Sequence, residues 1–382
     1  MRPTRAWTIA GLVLVAAIGV GLALGEVGLR LFYPQQLSVW RLERDGLTSH
    51  PPGVVAYLPQ RGISVSFNSE GMRDLEHSVT KAEGTFRVLL LGDSFMEALQ
   101  LPFESSFPSL VERLLAGRTG RRIEVVNASV SGWGTDDELQ YLATRGLKWK
   151  PDLIVVAMTL HNDIADNLRE RFHTTRNGAL VEQPAQVSFL EQRNIQAKTF
   201  LAARFHTYQL LVRARRFQET HSEARKLSGH VVDLFRNPTD PQIARGVELT
   251  SLLLKRIHRL ASANTSVLTL VLLPLAVQLS DARFATFAAS ATDKLDMTRP
   301  QRMMTDVGRR LGIEVIDLLP GFREWTTGGG ESLYLESDGH WNEEGHRLAA
   351  RIVATELVRL GLVRERELKA SAPSTRKWRL RS

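Results

Sequence analysis

RVLLLGDSFMEALQ (residues 87–100) contains a short apolar run that ends in a glycine, an aspartate and a serine. The run 88–91 has no polar member, which is typical of a strand buried on both faces of a parallel sheet. Because Gly92 permits a sharp turn, Asp93 and Ser94 fall at the carboxyl end of that strand, where open α/β sheets form their sites. The triplet alone is also explained by a helix cap, so a nucleophilic role for Ser94 depends on the rest of the chain.

Length and composition limit the class of protein. The 382 residues suffice for one large α/β domain with an insertion, or for two domains. The chain has no cysteine, which excludes disulfides, thiolate metal sites and a cysteine nucleophile. The net charge is +8, but neither zinc-finger spacing nor an RNA-binding aromatic signature accompanies it. We therefore expect no nucleic-acid partner; the charge suits anionic lipid headgroups or an acidic polysaccharide.

The amino terminus carries an uncharged apolar stretch, residues 6–25, behind Arg2 and Arg5. Twenty helical residues span about 30 Å, the thickness of one hydrocarbon core. The apolar region of a cleaved signal peptide is shorter, about 7–15 residues. The stretch predicts a single-pass signal anchor, with cleavage near residues 23–25 as the alternative. The positive-inside rule then places the rest of the chain outside the cytoplasmic membrane, in the periplasm or at the cell surface.

Apolar runs and helical patterns alternate along the chain. Residues 26–80 are interpreted as a linker and amino-terminal extension, and residues 81–363 as the main domain. The alternation predicts right-handed βαβ units and a parallel sheet. The predicted strands lie near 88–91, 123–126, 153–160, 265–276 and 313–318, and the predicted helices at 107–115, 135–147, 297–311 and after Asn342, with Thr135 and Glu138 as a capping box.

Two further segments have a different composition. Residues 164–262 are rich in arginine and helical in pattern, and we interpret them as a helical insertion or lid, with a solvated helical extension as the alternative. Residues 364–382 form a basic tail, for which a disordered or surface segment is expected.

Polar residues with catalytic potential follow several of these strands. Ser94, Gly132 and Asn162 come after strands, and the Asp338–His340 turn precedes the last helix. In a doubly wound sheet these positions converge on one edge. They would permit acyl transfer: Ser94 attacks a carbonyl, His340 moves the proton and Asp338 orients the imidazole. The backbone N–H groups of Ser94 and Gly132, with the Asn162 amide, would hold the oxyanion.

Four short blocks, GDSF (92–95), NASVSGWG (127–134), HND (161–163) and DGHWN (338–342), resemble those of the SGNH (GDSL-type) hydrolases. The resemblance covers residues 86–362 apart from the helical insertion. It implies an α/β fold of the flavodoxin-like SGNH type, a three-layer α/β/α sandwich with about five parallel strands. It also implies Ser94 as nucleophile, His340 as base, Gly132 and Asn162 in the oxyanion hole, and no cofactor or metal.

Two departures from the family pattern affect these assignments. Leu160 stands where the third block has glycine, and Ser337 stands where the last block has its aspartate. Asp338, two residues before His340 as in relatives that acetylate alginate, is therefore the expected acid, with Glu336 as the alternative. His161 and His346 are expected to be structural or solvent-facing, and Asp93 is expected to shape the turn around Ser94.

The family includes esterases, lipases, thioesterases, carbohydrate deacetylases and O-acyltransferases. The anchor and the upstream stretch NSEGMRD (68–74) resemble bacterial extracytoplasmic members linked to cell-surface polysaccharide. We therefore predict a membrane-anchored serine esterase whose substrate is an acylated small molecule or glycan, most plausibly an acetylated glycan. An O-acyltransferase and a catalytically silent glycan-binding component are the alternatives.

Overall fold

The computed structural model describes residues 5–365 apart from residues 36, 44, 60, 184–188, 216–230, 290, 292 and 337–338. The predicted basic tail lies almost wholly outside the described residues. In the described part the strands are β1 Arg41–Leu42, β2 Thr48–Ser49, β3 Val55–Leu58, β4 Ile63–Ser66, β5 Thr85–Leu91, β6 Arg122–Asn127, β7 Leu153–Thr159, β8 His173–Arg176, β9 Ala179–Glu182, β10 Val267–Leu273 and β11 Glu314–Asp317.

The helices are α1 Arg5–Phe32, α2 Ser94–Glu97, α3 Phe107–Thr119, α4 Thr135–Thr144, α5 Leu160–Asn167, α6 Phe189–Arg204, α7 Pro241–Ala263, α8 Asp281–Ala288, α9 Arg299–Leu311, α10 Leu319–Thr327 and α11 Glu343–Arg359. Residues 206–215 are helical as well.

The predicted five-stranded parallel sheet is confirmed. Its strand order is β11-β10-β7-β5-β6, and each neighbouring pair is parallel. The chain leaves β5 to form β6 on one side and later builds β7, β10 and β11 on the other. The carboxyl end of β5, which leads into Gly92 and Ser94, is therefore the point where the winding of the sheet reverses, the usual place for a crevice in such folds.

Helices cover both faces of the sheet, so the three-layer sandwich is confirmed. Side chains of α3, α10 and α11 share one core with Val88 and Leu90 of β5. Side chains of α4, α5, α7 and α9 share the other core with Leu89 and Leu91. Successive residues of a strand point to opposite faces, so an unbroken apolar run fills both cores at once.

Three helix details differ from the sequence-based predictions. Helix α3 continues through Gly117 to Thr119, and Gly120, with a φ of +63°, caps its carboxyl end. Helix α4 ends at Thr144, and a 3₁₀ turn, Gly146–Trp149, follows it. The amino terminus of α4 is capped by the Asp137 carboxylate, which accepts a hydrogen bond from the Gly134 N–H at 3.2 Å. The predicted capping box of Thr135 and Glu138 does not form there.

The segment predicted as a helical insertion, residues 164–262, is more varied than its pattern indicates. It contains the antiparallel hairpin of β8 and β9. It also contains α7, whose Ile243, Leu253 and Ile257 are buried in the core beside the sheet. Since α7 is a structural layer of the sandwich, neither a lid nor a solvated extension describes residues 241–262.

Residues 26–80 likewise have more structure than the expected linker. The antiparallel pairs β1–β2 and β3–β4 form within them. Val39, Leu58, Val65 and Phe67 build a small separate core. This extension packs beside the carboxyl edge of the main sheet, where the polar blocks lie.

Helix α1 is longer than the predicted 6–25 anchor, and its segment Trp7–Phe32 is long and apolar enough to cross a membrane. Its carboxyl end is tied to the insertion. The Glu26 carboxylate accepts hydrogen bonds from the backbone N–H groups of His206 and Thr207, each at 2.9 Å. Arg30 Nη2 donates to the Arg204 carbonyl at 2.8 Å.

Candidate active site

Ser94 lies on a tight turn between β5 and α2. A Cβ at Gly92 would stand 2.7 Å from Met96 Cγ, so the close approach of the two segments requires glycine there. Asp93 caps α2, because its Oδ1 accepts a hydrogen bond from the Phe95 N–H at 2.9 Å. As expected, Asp93 shapes the turn, and the half-buried Ser94 begins the helix.

The loop before α11 brings His340 to Ser94. The two side chains are joined by a hydrogen bond of 2.8 Å between His340 Nε2 and Ser94 Oγ. The imidazole packs on the Phe95 ring, with centroids 4.9 Å apart, and the buried Trp341 contacts the same ring at 5.2 Å. A hydroxyl and an imidazole, the groups that a serine nucleophile and its general base require, therefore stand in contact at the carboxyl edge of the sheet.

The position of the third group of the predicted triad is not described. Asp338 and Ser337 lie outside the described residues. Glu336, the alternative acid, is exposed on the same loop. The loop closes through a hydrogen bond from the Leu335 N–H to the His340 carbonyl at 2.8 Å, and Gly339 adopts a φ of +73° beside it. The assignment of Asp338 as the acid stays a prediction.

The predicted oxyanion donors surround the same edge. Asn162, half-buried in the first turn of α5, donates from Nδ2 to Asp93 Oδ2 at 3.3 Å, which orients its amide beside the Ser94 turn. Gly132 lies exposed in the loop after β6 with a φ of +83°. A Cβ on Gly132 would meet nothing within 4 Å, so its backbone conformation, and not a shortage of space, favours glycine there.

Three buried carboxyl groups, those of Asp93, Glu138 and Asp163, lie behind the turn. Burial raises the pKa of each. The charge of Asp93 raises the pKa of Glu138 further, and the charges of Glu138 and Asp93 do the same for Asp163. Asp163 also fixes the start of α5, accepting a hydrogen bond from the Thr159 N–H at 2.7 Å. Sequence reasoning did not identify this cluster.

The two other histidines near the site differ from His340. His346 is fully buried and accepts a hydrogen bond at Nδ1 from the Phe107 N–H at 3.2 Å, so it is structural and not solvent-facing. Burial, with the charges of Arg73 and His340, lowers its pKa to about 3. Burial, with the charge of His340, lowers the pKa of His161 to about 4.

Within the described ranges no three histidine, aspartate or glutamate side chains gather in a way that could hold a metal ion. The polar groups at the edge of the sheet are instead a hydroxyl, an imidazole and amide donors. This set suits the addition of a hydroxyl to a carbonyl carbon, with proton transfer to the imidazole.

Comparison with known proteins agrees with the four sequence blocks. The model of the GDSL-like lipase/acylhydrolase family matches residues 90–348, more than half of the chain. The protein therefore belongs to the GDSL-like lipase/acylhydrolase family. This membership confirms the predicted class of enzyme, a hydrolase that acts on ester bonds.

Individual relatives are distant. An arylesterase of Vibrio mimicus is 32% identical over 77 residues, which are 20% of this chain and 38% of that protein. The chain thus spans well under half of the length of that relative. Among solved structures, TesA is 16% identical, with 72% of this chain and 99% of that chain covered and a TM-score of 0.39. The acetyl xylan esterase AlAXEase is 12% identical, with 72% and 100% covered and a TM-score of 0.41.

Proposed function

We propose that the protein is a serine esterase that removes acetyl groups from a glycan outside the cytoplasmic membrane. The observation that carries the proposal is the hydrogen bond of 2.8 Å between Ser94 Oγ and His340 Nε2. It joins the two groups that acyl-enzyme chemistry requires, at the edge where the amide of Asn162 also lies.

The reaction has two halves. In the first, Ser94 Oγ attacks the ester carbonyl carbon while His340 Nε2 takes the hydroxyl proton. The oxyanion of the tetrahedral intermediate is held by the N–H groups of Ser94 and Gly132 and by Asn162 Nδ2. When the intermediate collapses, His340 returns the proton to the leaving alcohol and the acyl group stays on Ser94. In the second half, water adds in the same way and the carboxylic acid leaves.

A short acyl group and a bulky alcohol fit the surroundings of Ser94. The neighbouring aromatic side chains are packed away: Phe95 is 4% exposed and Trp133 is 2% exposed. Trp133 Nε1 also donates to the Thr48 carbonyl at 3.0 Å, which holds its ring in the core. The edge that carries the site is more open, since Gly132 is exposed and Ser94, Asn162 and His340 are half-buried. These features support acetyl esters of a large polar alcohol, such as a sugar.

The proposed location rests on α1. Its candidate spanning segment is 26 residues long, and residues 7–25 of it are exposed. The contacts of Glu26 and Arg30 with residues 204–207 hold the domain close to the end of this helix. We propose that α1 is retained as an anchor, with Arg2 and Arg5 on the cytoplasmic side.

The substrate proposal is tested with full-length protein in detergent micelles. Acetate release from an O-acetylated xylo-oligosaccharide is compared with hydrolysis of 4-nitrophenyl palmitate. We expect release of acetate and negligible cleavage of the long acyl chain; the reverse preference would contradict the acetyl-ester proposal. A deacetylated oligosaccharide is then added to a 4-nitrophenyl acetate reaction. Acetylated sugar among the products would mean that a sugar hydroxyl replaces water in the second half, as in an O-acyltransferase.

A further inference from the structure

Glu97 is a buried carboxylate one helical turn after Ser94. It is 1% exposed, and both of its oxygens are engaged. Oε2 accepts a hydrogen bond from the Ser131 N–H at 3.0 Å and another from the Ser131 hydroxyl. Oε1 is bonded to Nε2 of His50. One side chain of α2 thus connects the nucleophile turn with the loop that carries Gly132.

His50 holds this carboxylate from the amino-terminal extension. Its side chain is fully buried and stacks on Phe67, with ring centroids 3.9 Å apart. Nδ1 lies 2.9 Å from the Val39 carbonyl. Because a carbonyl oxygen only accepts, Nδ1 carries a proton, and the imidazole has a single orientation in which Nε2 faces Glu97.

The loop around Gly132 is held on both sides. Ser131 immediately precedes Gly132, and its N–H and hydroxyl are fixed by Glu97. On the other side the Trp133 N–H donates to the Val130 carbonyl at 3.1 Å, and the Trp133 indole donates to the Thr48 carbonyl. These bonds set the direction of the Gly132 N–H. Gly132 has no side chain that could orient its own backbone.

The stretch 68–74 supports the same network. Arg73, buried at 2% exposure, donates from Nη1 to the Glu97 carbonyl at 2.7 Å and also bonds the carbonyls of Ala98 and Leu101, so it closes the end of α2. Gly71 lies against the backbone of His50, where a Cβ would come within 2.4 Å of the His50 carbonyl oxygen. The extension is therefore packed directly behind the proposed oxyanion hole.

We infer that Glu97, held by His50, is a positioning residue that sets the Gly132 N–H in the oxyanion hole, and that the amino-terminal extension is thereby an integral part of the active site. The inference rests on the proposed esterase function. We therefore expect Glu97 to help stabilise the transition state, where the oxyanion forms, and to have little effect on binding of the ester in its ground state.

The test compares variants of the full-length protein in detergent micelles with 4-nitrophenyl acetate as substrate. In Glu97→Gln, we expect kcat to fall about 100-fold while KM changes less than about threefold, as for a misplaced oxyanion donor. The rate at which a serine-directed phosphonate modifies Ser94 should fall in parallel, since its tetrahedral adduct uses the same hole. Ser131→Ala, which keeps the N–H bond to Glu97 and loses only the hydroxyl, should reduce kcat by about three- to tenfold.

Glu124→Gln is the matched control. Glu124 pairs with the buried Arg87 at 2.6 Å at the amino ends of β5 and β6, the edge of the sheet opposite Ser94. The Glu124→Gln substitution should lower the melting temperature and leave kcat unchanged. A folded Glu97→Gln with parental kcat, or an equal fall of kcat in Glu124→Gln, would overturn the inference. If Glu97→Gln does not fold, the inference is overturned by a Ser131→Ala variant whose kcat and phosphonate reactivity are both unchanged. A parent without Ser94-dependent turnover would instead overturn the proposed function, and the inference with it.

Discussion

Ser94 and His340 are 246 positions apart in the chain, yet Ser94 Oγ and His340 Nε2 lie 2.8 Å from each other. The sheet creates this proximity. Ser94 follows β5, an inner strand of the sheet, and His340 lies in the loop before α11, which packs against α3 on one face of the sheet. The shared contact with the Phe95 ring then fixes the imidazole relative to the serine turn.

The acid of the triad can be identified by two substitutions. Asp338→Asn is expected to reduce kcat for 4-nitrophenyl acetate by about 100- to 10,000-fold, because the imidazole loses the group that selects its tautomer. Glu336→Gln should leave kcat within about twofold, since Glu336 is exposed. Loss of activity in Glu336→Gln with an active Asp338→Asn would reverse the assignment.

Asn162 is the proposed side-chain donor of the oxyanion hole. Asn162→Ala should lower kcat by about 100- to 1,000-fold with little change in KM, as expected for a bond made in the transition state. Thermal unfolding measured beside the kinetics separates this effect from misfolding. A KM that rises while kcat is unchanged would place Asn162 in substrate binding instead.

The buried His346 is expected to make the free energy of unfolding depend on pH. Its pKa in the folded protein, lowered by burial to about 3, lies below the ordinary value of 6.5, so the unfolded chain binds one more proton between these limits. Stability therefore falls as the pH is lowered through this range, by up to about 1.4 kcal/mol per pH unit for one proton. In His346→Gln the loss of stability between pH 7 and pH 5, measured by urea unfolding, should be smaller. An unchanged loss would show that His346 does not titrate in this way.

The fate of α1 can be read from membrane fractions. If α1 is a retained anchor, the full-length protein stays with the membrane after alkaline carbonate extraction, and its amino terminus still includes the apolar segment Trp7–Phe32. Intact mass measurement of the extracted protein checks this. A released protein whose sequence begins at Glu26 would show that a signal peptidase cuts after Gly25.

Much of the sheet edge was predictable because its signals are local. An apolar run ending in glycine marks β5 and the Ser94 turn, and the blocks at Asn162 and His340 follow directly from their spacing to strands and helices. Helix ends were less predictable. Gly117 predicts the end of α3, but its neighbours continue the helix by packing on the sheet and on α11, and of Gly117 and Gly120 only Gly120 takes the left-handed conformation.

Contacts between distant segments could not be predicted from the pattern. His50 and Glu97 are 47 positions apart, and nothing in the sequence around either residue indicates that the two side chains pair. The arginine-rich, helical pattern of residues 164–262 predicts an insertion, whereas Leu253, Leu254 and Ile257 of α7 are completely buried. In both cases burial by other elements, and not local sequence, decides the role.

The central claim is that Ser94 is the nucleophile of an esterase. The most direct test is turnover of 4-nitrophenyl acetate by the full-length protein beside its Ser94→Ala variant, with both shown to be folded by thermal unfolding. We expect turnover by the parent and, in Ser94→Ala, a rate reduced by at least about 1,000-fold towards the uncatalysed background. Equal rates in the two folded proteins would contradict it.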